Sequence, residues 1–186
     1  MKLEEAISKR HSIRKFSSKN VKWSDILEAI DSAAKIPLAG NTFNLKFLIV
    51  SSQELKNEIA KHCQQLWISE APYIIVVCSD ESRLKMLYDS RGSIYSRQQA
   101  GASIQNLLLK LTEMKLASCW VGAYADELVK QILRIPENIN IEAIIPVGYS
   151  SEKPRTKNKV SLENIIFWEF WKQKKKPFPF KDPLTI

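Results

Sequence analysis

Arg97-Gln98-Gln99-Ala100-Gly101-Ala102-Ser103-Ile104-Gln105-Asn106-Leu107-Leu108-Leu109-Lys110-Leu111-Thr112-Glu113-Met114 is the stretch whose reading decides the fold. Ala100, Ile104, Leu107, Leu108 and Leu111 recur at steps of three and four and line one face, which makes this the long core helix. Gly101, Ala102 and Ser103 near its start are small enough to admit another helix or a flat ring system, and on the residues alone helix packing is the favoured use. Downstream, Ser118-Cys119-Trp120-Val121-Gly122-Ala123-Tyr124 reads as a strand that stops at a glycine. Upstream, Pro72-Tyr73-Ile74-Ile75-Val76-Val77-Cys78 is almost continuously apolar, as a central strand buried on both faces must be.

Working outward, Ser24 to Lys35 repeats apolar residues at helical spacing behind a capping serine and closes before Pro37. Lys46 to Ser51 reads as a strand, Gln53 to Gln65 as a helix, Asp126 to Leu133 as a helix capped by an acid, and Ile141 to Tyr149 as another apolar strand. Ser82 to Arg97 is polar and poorly periodic and fits either a mobile lid or an ordinary helix-loop connection. Strands alternating with helices argue for α/β or α+β. No second-domain boundary appears, so residues 1–171 read as one domain and 172–186 as an extended tail. The stretch from Phe167 to Ile186, with rings from Phe167 to Phe180 among lysines and prolines, must hide its aromatics against its own core or a partner chain.

With 186 residues, 45% of them hydrophobic, the chain is long enough to bury a good core. No run of eighteen apolar residues occurs and Lys2 charges the N-terminus, which points to a cytoplasmic protein without a membrane span. Cys63, Cys78 and Cys119 have no paired spacing, and His11 and His62 are the only histidines, so neither a disulfide framework nor a metal centre is expected. The net charge of +8 points either to nucleic acid or to a smaller anion. In the absence of zinc-finger, RNP-type or helix-turn-helix patterns, a small phosphate-bearing ligand is favoured over nucleic acid.

Lys9-Arg10-His11-Ser12-Ile13-Arg14-Lys15-Phe16 packs the densest charge. Leu3, Ala6 and Ile7 make the preceding segment a short amphipathic helix ending near Lys9, after which the chain runs out extended. In extended chain Arg10, Ser12 and Arg14 point the same way, and two guanidinium forks with a hydroxyl suit a phosphate. Walker, GxGxxG and nucleophile-elbow patterns are absent. Two remote basic loops, a Gly-Asn loop at residues 37–42 and a strand ending in glycine are what a phosphate-bearing flavin needs.

Taken in order, these pieces resemble the nitroreductase family of FMN-dependent NAD(P)H oxidoreductases from Leu3 to Trp168. Arg10 to Phe16 is similar to the family's Arg-x-Ser-x-Arg/Lys-x-Phe element, which holds the FMN phosphate and ribityl chain. Pro37-Leu38-Ala39-Gly40-Asn41-Thr42-Phe43-Asn44-Leu45-Lys46-Phe47 is similar to the Pro-Ser-x-x-Asn-x-Gln-Pro-Trp-x-Phe loop, whose Asn contacts the ring. Gln98 to Leu109, followed by Leu116 to Gly122, is similar to the central helix and the strand beside the flavin. Lys157-Asn158-Lys159-Val160-Ser161-Leu162-Glu163 is similar to the basic segment that returns to the phosphate.

The resemblance implies an α+β fold: three layers, α/β/α, with a mostly antiparallel central sheet, a long core helix and an extended C-terminal tail. It implies FMN bound by Arg10, His11, Ser12, Arg14, Asn41, Val121, Gly122, Lys157 and Lys159, with no metal and no protein nucleophile, because flavin N5 carries the chemistry. It further implies NAD(P)H as co-substrate, a small-molecule acceptor such as a nitroaromatic or quinone, ping-pong order, and a homodimer with FMN at the interface. Specialised flavin reactions such as dehalogenation, flavin fragmentation or substrate-specific dehydrogenation are the alternative, and a non-enzymatic basic protein binding nucleic acid or another anion is a third reading. Leu38, Phe43 and Leu45 depart from the family pattern and make the loop over the flavin more apolar. Gln99 stands where Asp is common and Ala117 where Gly is common. Lys157 and Lys159 keep the charge of the family's Arg but lose its fork.

Overall fold

The computed structural model describes residues 1–152 and 160–175. The chain divides into two units, Met1–Pro154 and Arg155–Ile186, ahead of the tail that composition places at residue 172. In the second unit, a short helix α7 (Leu162–Ile165) is followed by Phe167 and Trp171 stacked edge-on at 4.8 Å, with the Lys174 ammonium 4.4 Å from the Phe167 ring centre.

The first unit is built on an antiparallel sheet of β1 (Leu45–Val50), β2 (Tyr73–Asp80), β3 (Ala117–Ser118) and β4 (Ile139–Gly148) in the order β1-β2-β4-β3. The apolar run of β2 is explained by its position between β1 and β4, with layers on both faces. Ile75 and Val77, with Ala143, Ile145 and Val147 of β4, face α2 (Trp23–Ala33) and the long helix α5 (Arg91–Glu113). Ile74, Val76 and Cys78, with Ile141 and Ile144, face α3 (Gln53–His62) and α6 (Asp126–Leu133). Alternation along β2, and along β4 on either side of the register shift opposite Val77 and Cys78, thus builds the three layers. The remaining helices are α1 (Leu3–Lys9) and α4 (Ser82–Tyr88), and no described helix is long and apolar enough to cross a membrane.

Five expectations are corrected. Helix α5 begins at Arg91, not Arg97, and α4 occupies Ser82–Tyr88, so the 82–97 stretch is a helix-turn-helix with the turn at Asp89. Helix α2 starts at Trp23 with Lys22 at its N-cap, so Ser24 lies inside it and caps nothing. Helix α6 has Ala125 at its N-cap, and Asp126 and Glu127 serve as first-turn acids. Of the three small residues on α5, only Ser103 meets the core, donating to the Ala33 carbonyl at 2.8 Å, while a Cβ on Gly101 would meet nothing within 4 Å.

The fifth correction has a chemical cause. The strand expected over residues 118–124 is paired at Ala117–Ser118 and again only at Val121, which exchanges both of its hydrogen bonds with Ile144 at 3.0 Å. In that register Cys119 faces Pro146, at a position where the antiparallel ladder calls for an N–H that proline lacks. The ladder therefore breaks for two residues and resumes just ahead of Gly122.

Burial pushes the Cys63 and Cys78 thiols up to about 11 from an ordinary value near 9, Cys78 with help from the Glu142 carboxylate. Neutral thiols leave stability whole below pH 9, and it is lost as pH rises toward 11, where the unfolded chain ionises groups that the fold keeps protonated. A loss of about 1 kcal/mol per thiol by pH 10 is expected. Urea midpoints at pH 8 and 10 check this: replacing both cysteines by Val should flatten the decline, and an unflattened curve would contradict it.

Candidate functional site

Arg10 to Arg14 runs extended alongside β3. Ser12 bridges Ser118 in parallel, and the Ile13 N–H donates to the Ser118 carbonyl at 3.0 Å. Ile13 is the anchor beneath the strip, packed with Phe16, Ala71, Ala117 and Trp67. The Arg14 N–H donates to the Glu152 carboxylate at 3.0 Å, and the Arg14 guanidinium lies 6.0 Å from the centre of the Trp67 ring, which also stacks on Phe16.

Along the strip Ser12 and Arg14 are exposed and Arg10 is half-buried, while Ile13 between them is buried. Burial raises the Cys119 thiol, while the Arg14 charge, a Ser12 hydrogen bond and the Arg10 charge pull it down. His11 is placed elsewhere: its Nδ1–H donates to the Lys9 carbonyl at 2.7 Å, and the ring lines a separate cavity of about 290 Å³ with Lys9, Ile13, Lys115 and Ser150.

Val121, buried and pinned by Ile144, delivers Gly122 to the exposed end of the same edge. A Cβ built on Gly122 would meet nothing within 4 Å, so bare backbone faces open space there. The residues present fit a phosphate-bearing planar cofactor: guanidinium forks and a hydroxyl for the anion, then unobstructed main chain for a ring edge. Among the described residues no cluster of acids, cysteines and histidines could hold a metal ion.

Asn41 lies apart from this strip. It sits in a 3₁₀ turn (Ala39–Asn41) feeding β1, with Gly40 and Asn41 both left-handed at φ 56° and 49°. β1 and β3 are opposite edges of the sheet, separated by three strand spacings, about 14 Å. The loop is held instead by Gln99 of α5, which sequence reading registered only as a departure from the family pattern. The signal was its place on the buried side of α5, one turn from Ser96. Lys157 and Lys159 lie outside the described residues.

The sequence model of the nitroreductase family matches residues 7–71 and 64–149. A Streptococcus pyogenes protein provisionally named NAD(P)H nitroreductase is 30% identical over 89% of this chain and 98% of its own length. An iodotyrosine deiodinase of Thermotoga neapolitana is 25% identical over 82% of this chain and 91% of its own length. Among solved structures, a Parabacteroides distasonis protein provisionally named NADH dehydrogenase/NAD(P)H nitroreductase superposes with a TM-score of 0.79 at 27% identity, covering 91% of this chain and 98% of that one.

Proposed function

Since the chain belongs to the nitroreductase family, we propose that it is a cytoplasmic FMN-dependent oxidoreductase that takes hydride from NAD(P)H and reduces a small oxidised acceptor such as a nitroaromatic or quinone. The observation that carries this reading is the extended strip alongside β3, with exposed Ser12 and Arg14 and half-buried Arg10 set around buried Ile13, on the sheet edge that ends in the open backbone of Gly122. Arg10 and Arg14 bind the phosphate through paired, charge-assisted hydrogen bonds, with Ser12 adding a third donor. Lys157 and Lys159 bring further charge to it. Val121 fixes the height of Gly122, whose main chain meets the ring edge. The His11 ring is tied to the Lys9 carbonyl, so His11 is given no part in holding the ribityl chain. FMN supplies the redox chemistry at N5, so the protein holds, orients and excludes water rather than providing a nucleophile. Donor and acceptor use the same ring face in turn, in ping-pong order.

The separation of Asn41 from the strip supports a homodimer in which the loop of one protomer completes the site of its partner. The relation to an iodotyrosine deiodinase favours reductive dehalogenation as the second reading. Anaerobic incubation of the reduced protein with a nitroaromatic, a quinone and 3-iodotyrosine separates the two: reoxidation by the first pair supports the reductase, whereas iodide release with no reoxidation by that pair overturns it.

Gly122→Leu is the local test. With open space at the Cβ and no positive φ, the variant should unfold within about 0.5 kcal/mol of wild type. Its uptake of FMN, followed by fluorescence titration, should fall at least about tenfold, because the new side chain fills the place of the ring edge. Undiminished FMN binding would contradict the placement.

A further inference from the structure

We propose that Gln99 is a positioning residue that fixes the Gly40–Asn41 turn and so sets how Asn41 meets the flavin, an assignment that rests on the FMN reading above. Gln99 is 4% exposed, and all its bonds run to one loop. Its Oε1 accepts the Ala39 N–H at 2.6 Å, and its Nε2 donates to the Thr42 carbonyl at 3.2 Å and to Asn44 Oδ1 at 2.8 Å. The partners bracket the turn on both sides. Asn44 carries the clamp onward, donating to Ser96 Oγ at 2.7 Å one turn earlier on α5.

The turn requires such support. Asn41 is a non-glycine residue at φ 49° directly after Gly40 at φ 56°, and left-handed residues in succession are disfavoured for L-amino acids. Locally the turn has the Thr42 N–H to the Ala39 carbonyl at 3.1 Å and the Thr42 hydroxyl to the Gly40 carbonyl at 3.1 Å. Behind Gly40 stand Leu87 and Tyr88 of α4, each 3.0 Å from where a Cβ would lie. Asn41 is thereby exposed on a rigid base, and the start of the same loop, Leu38 and Ala39, lines a cavity of about 310 Å³ with Tyr95, Gln98, Gln99 and Ala102. A buried glutamine serving only the core would join two core elements. This one ties the long helix to the segment that carries Asn41.

A double-mutant cycle on FMN affinity in the full-length protein tests the assignment. Asn41→Ala and Gln99→Leu should each weaken FMN about tenfold, the scale of one lost hydrogen bond. Together they should weaken it about tenfold as well, because Gln99 acts through Asn41. Independent effects, multiplying to about a hundredfold, would overturn the assignment.

Gln99→Glu gives a second readout should the leucine variant fail to fold. Its carboxyl, desolvated against the Thr42 and Asn44 oxygens, should be ionised and repelled at about pH 8 but neutral at about pH 5.5. When neutral it can again accept from Ala39 and donate to Asn44. FMN affinity should then recover from about tenfold weak to within about twofold of wild type measured at the same pH. A pH-independent deficit, or none, would overturn the role. A wild-type protein that takes up no FMN overturns the functional reading and this assignment together. A flavin-loaded wild type with multiplying effects overturns this assignment alone.

Discussion

Replacing Arg10 and Arg14 together by Ala is expected to weaken FMN binding at least about a hundredfold. Each removes a charge-assisted interaction with phosphate of roughly 1.5–3 kcal/mol, and the pair sums to about two decades of affinity or more. The fold should survive. The two side chains are half-exposed and exposed, and the strip is anchored by Ile13 beneath it and by main-chain bonds to β3. Loss of the Arg14 contact with Trp67 should lower stability by only about 1 kcal/mol or less. Arg14→Lys keeps the charge without the fork and should fall between wild type and the double variant. Fluorescence titration with FMN at two salt concentrations reads both effects, since the wild-type affinity should drop with salt and that of the double variant should respond less. Equal affinities would remove the strip from the binding site.

Gly92→Ala is expected to destabilise the fold by about 3 kcal/mol or more. A Cβ there would overlap the Leu84 carbonyl carbon and oxygen and the Lys85 nitrogen, all main-chain atoms of α4 that have no rotamer to yield. The α4–α5 corner must open to relieve it. Because Leu87 and Tyr88 back the Gly40 turn, that opening also loosens the loop bearing Asn41. Gly101→Ala, nine residues along the same helix, is the control: its Cβ meets nothing, and the helical propensity of alanine should stabilise by up to about 1 kcal/mol. Urea denaturation of the two variants should move in opposite directions, and a stable Gly92→Ala would show that the corner tolerates the side chain.

The layers were legible in the sequence because the core elements are periodic on their own. The Ile74–Cys78 run and the Ala100–Leu111 stripe predict a doubly covered strand and a long helix, and both are present where expected. The exposure of Ser12 and Arg14 on either side of buried Ile13 followed from extended-chain alternation alone. What local pattern could not supply was pairing between distant segments. The break in the 118–124 strand comes from Pro146, and recognising it requires the register that opposes Pro146 to Cys119. Likewise Gln99 looks like one polar residue among several on α5, and its function appears only when the 39–44 loop is laid against it. Periodicity places Gln99 on the buried side of α5 but does not name its partners, which lie on a distant segment. The 82–97 segment left a lid and a helix-loop connection both open for a related reason: α4 buries Leu84 alone among its seven residues and leaves Met86 and Leu87 exposed, so its apolar stripe is too thin to read.

The central claim is tested most directly by an absorbance titration of the purified protein with FMN, followed by anaerobic addition of NADH and then NADPH. The account predicts bound flavin whose visible bands bleach on addition of a pyridine nucleotide and return with a nitroaromatic or quinone. A protein that takes up no FMN, or one whose bound FMN neither nucleotide reduces, would contradict it.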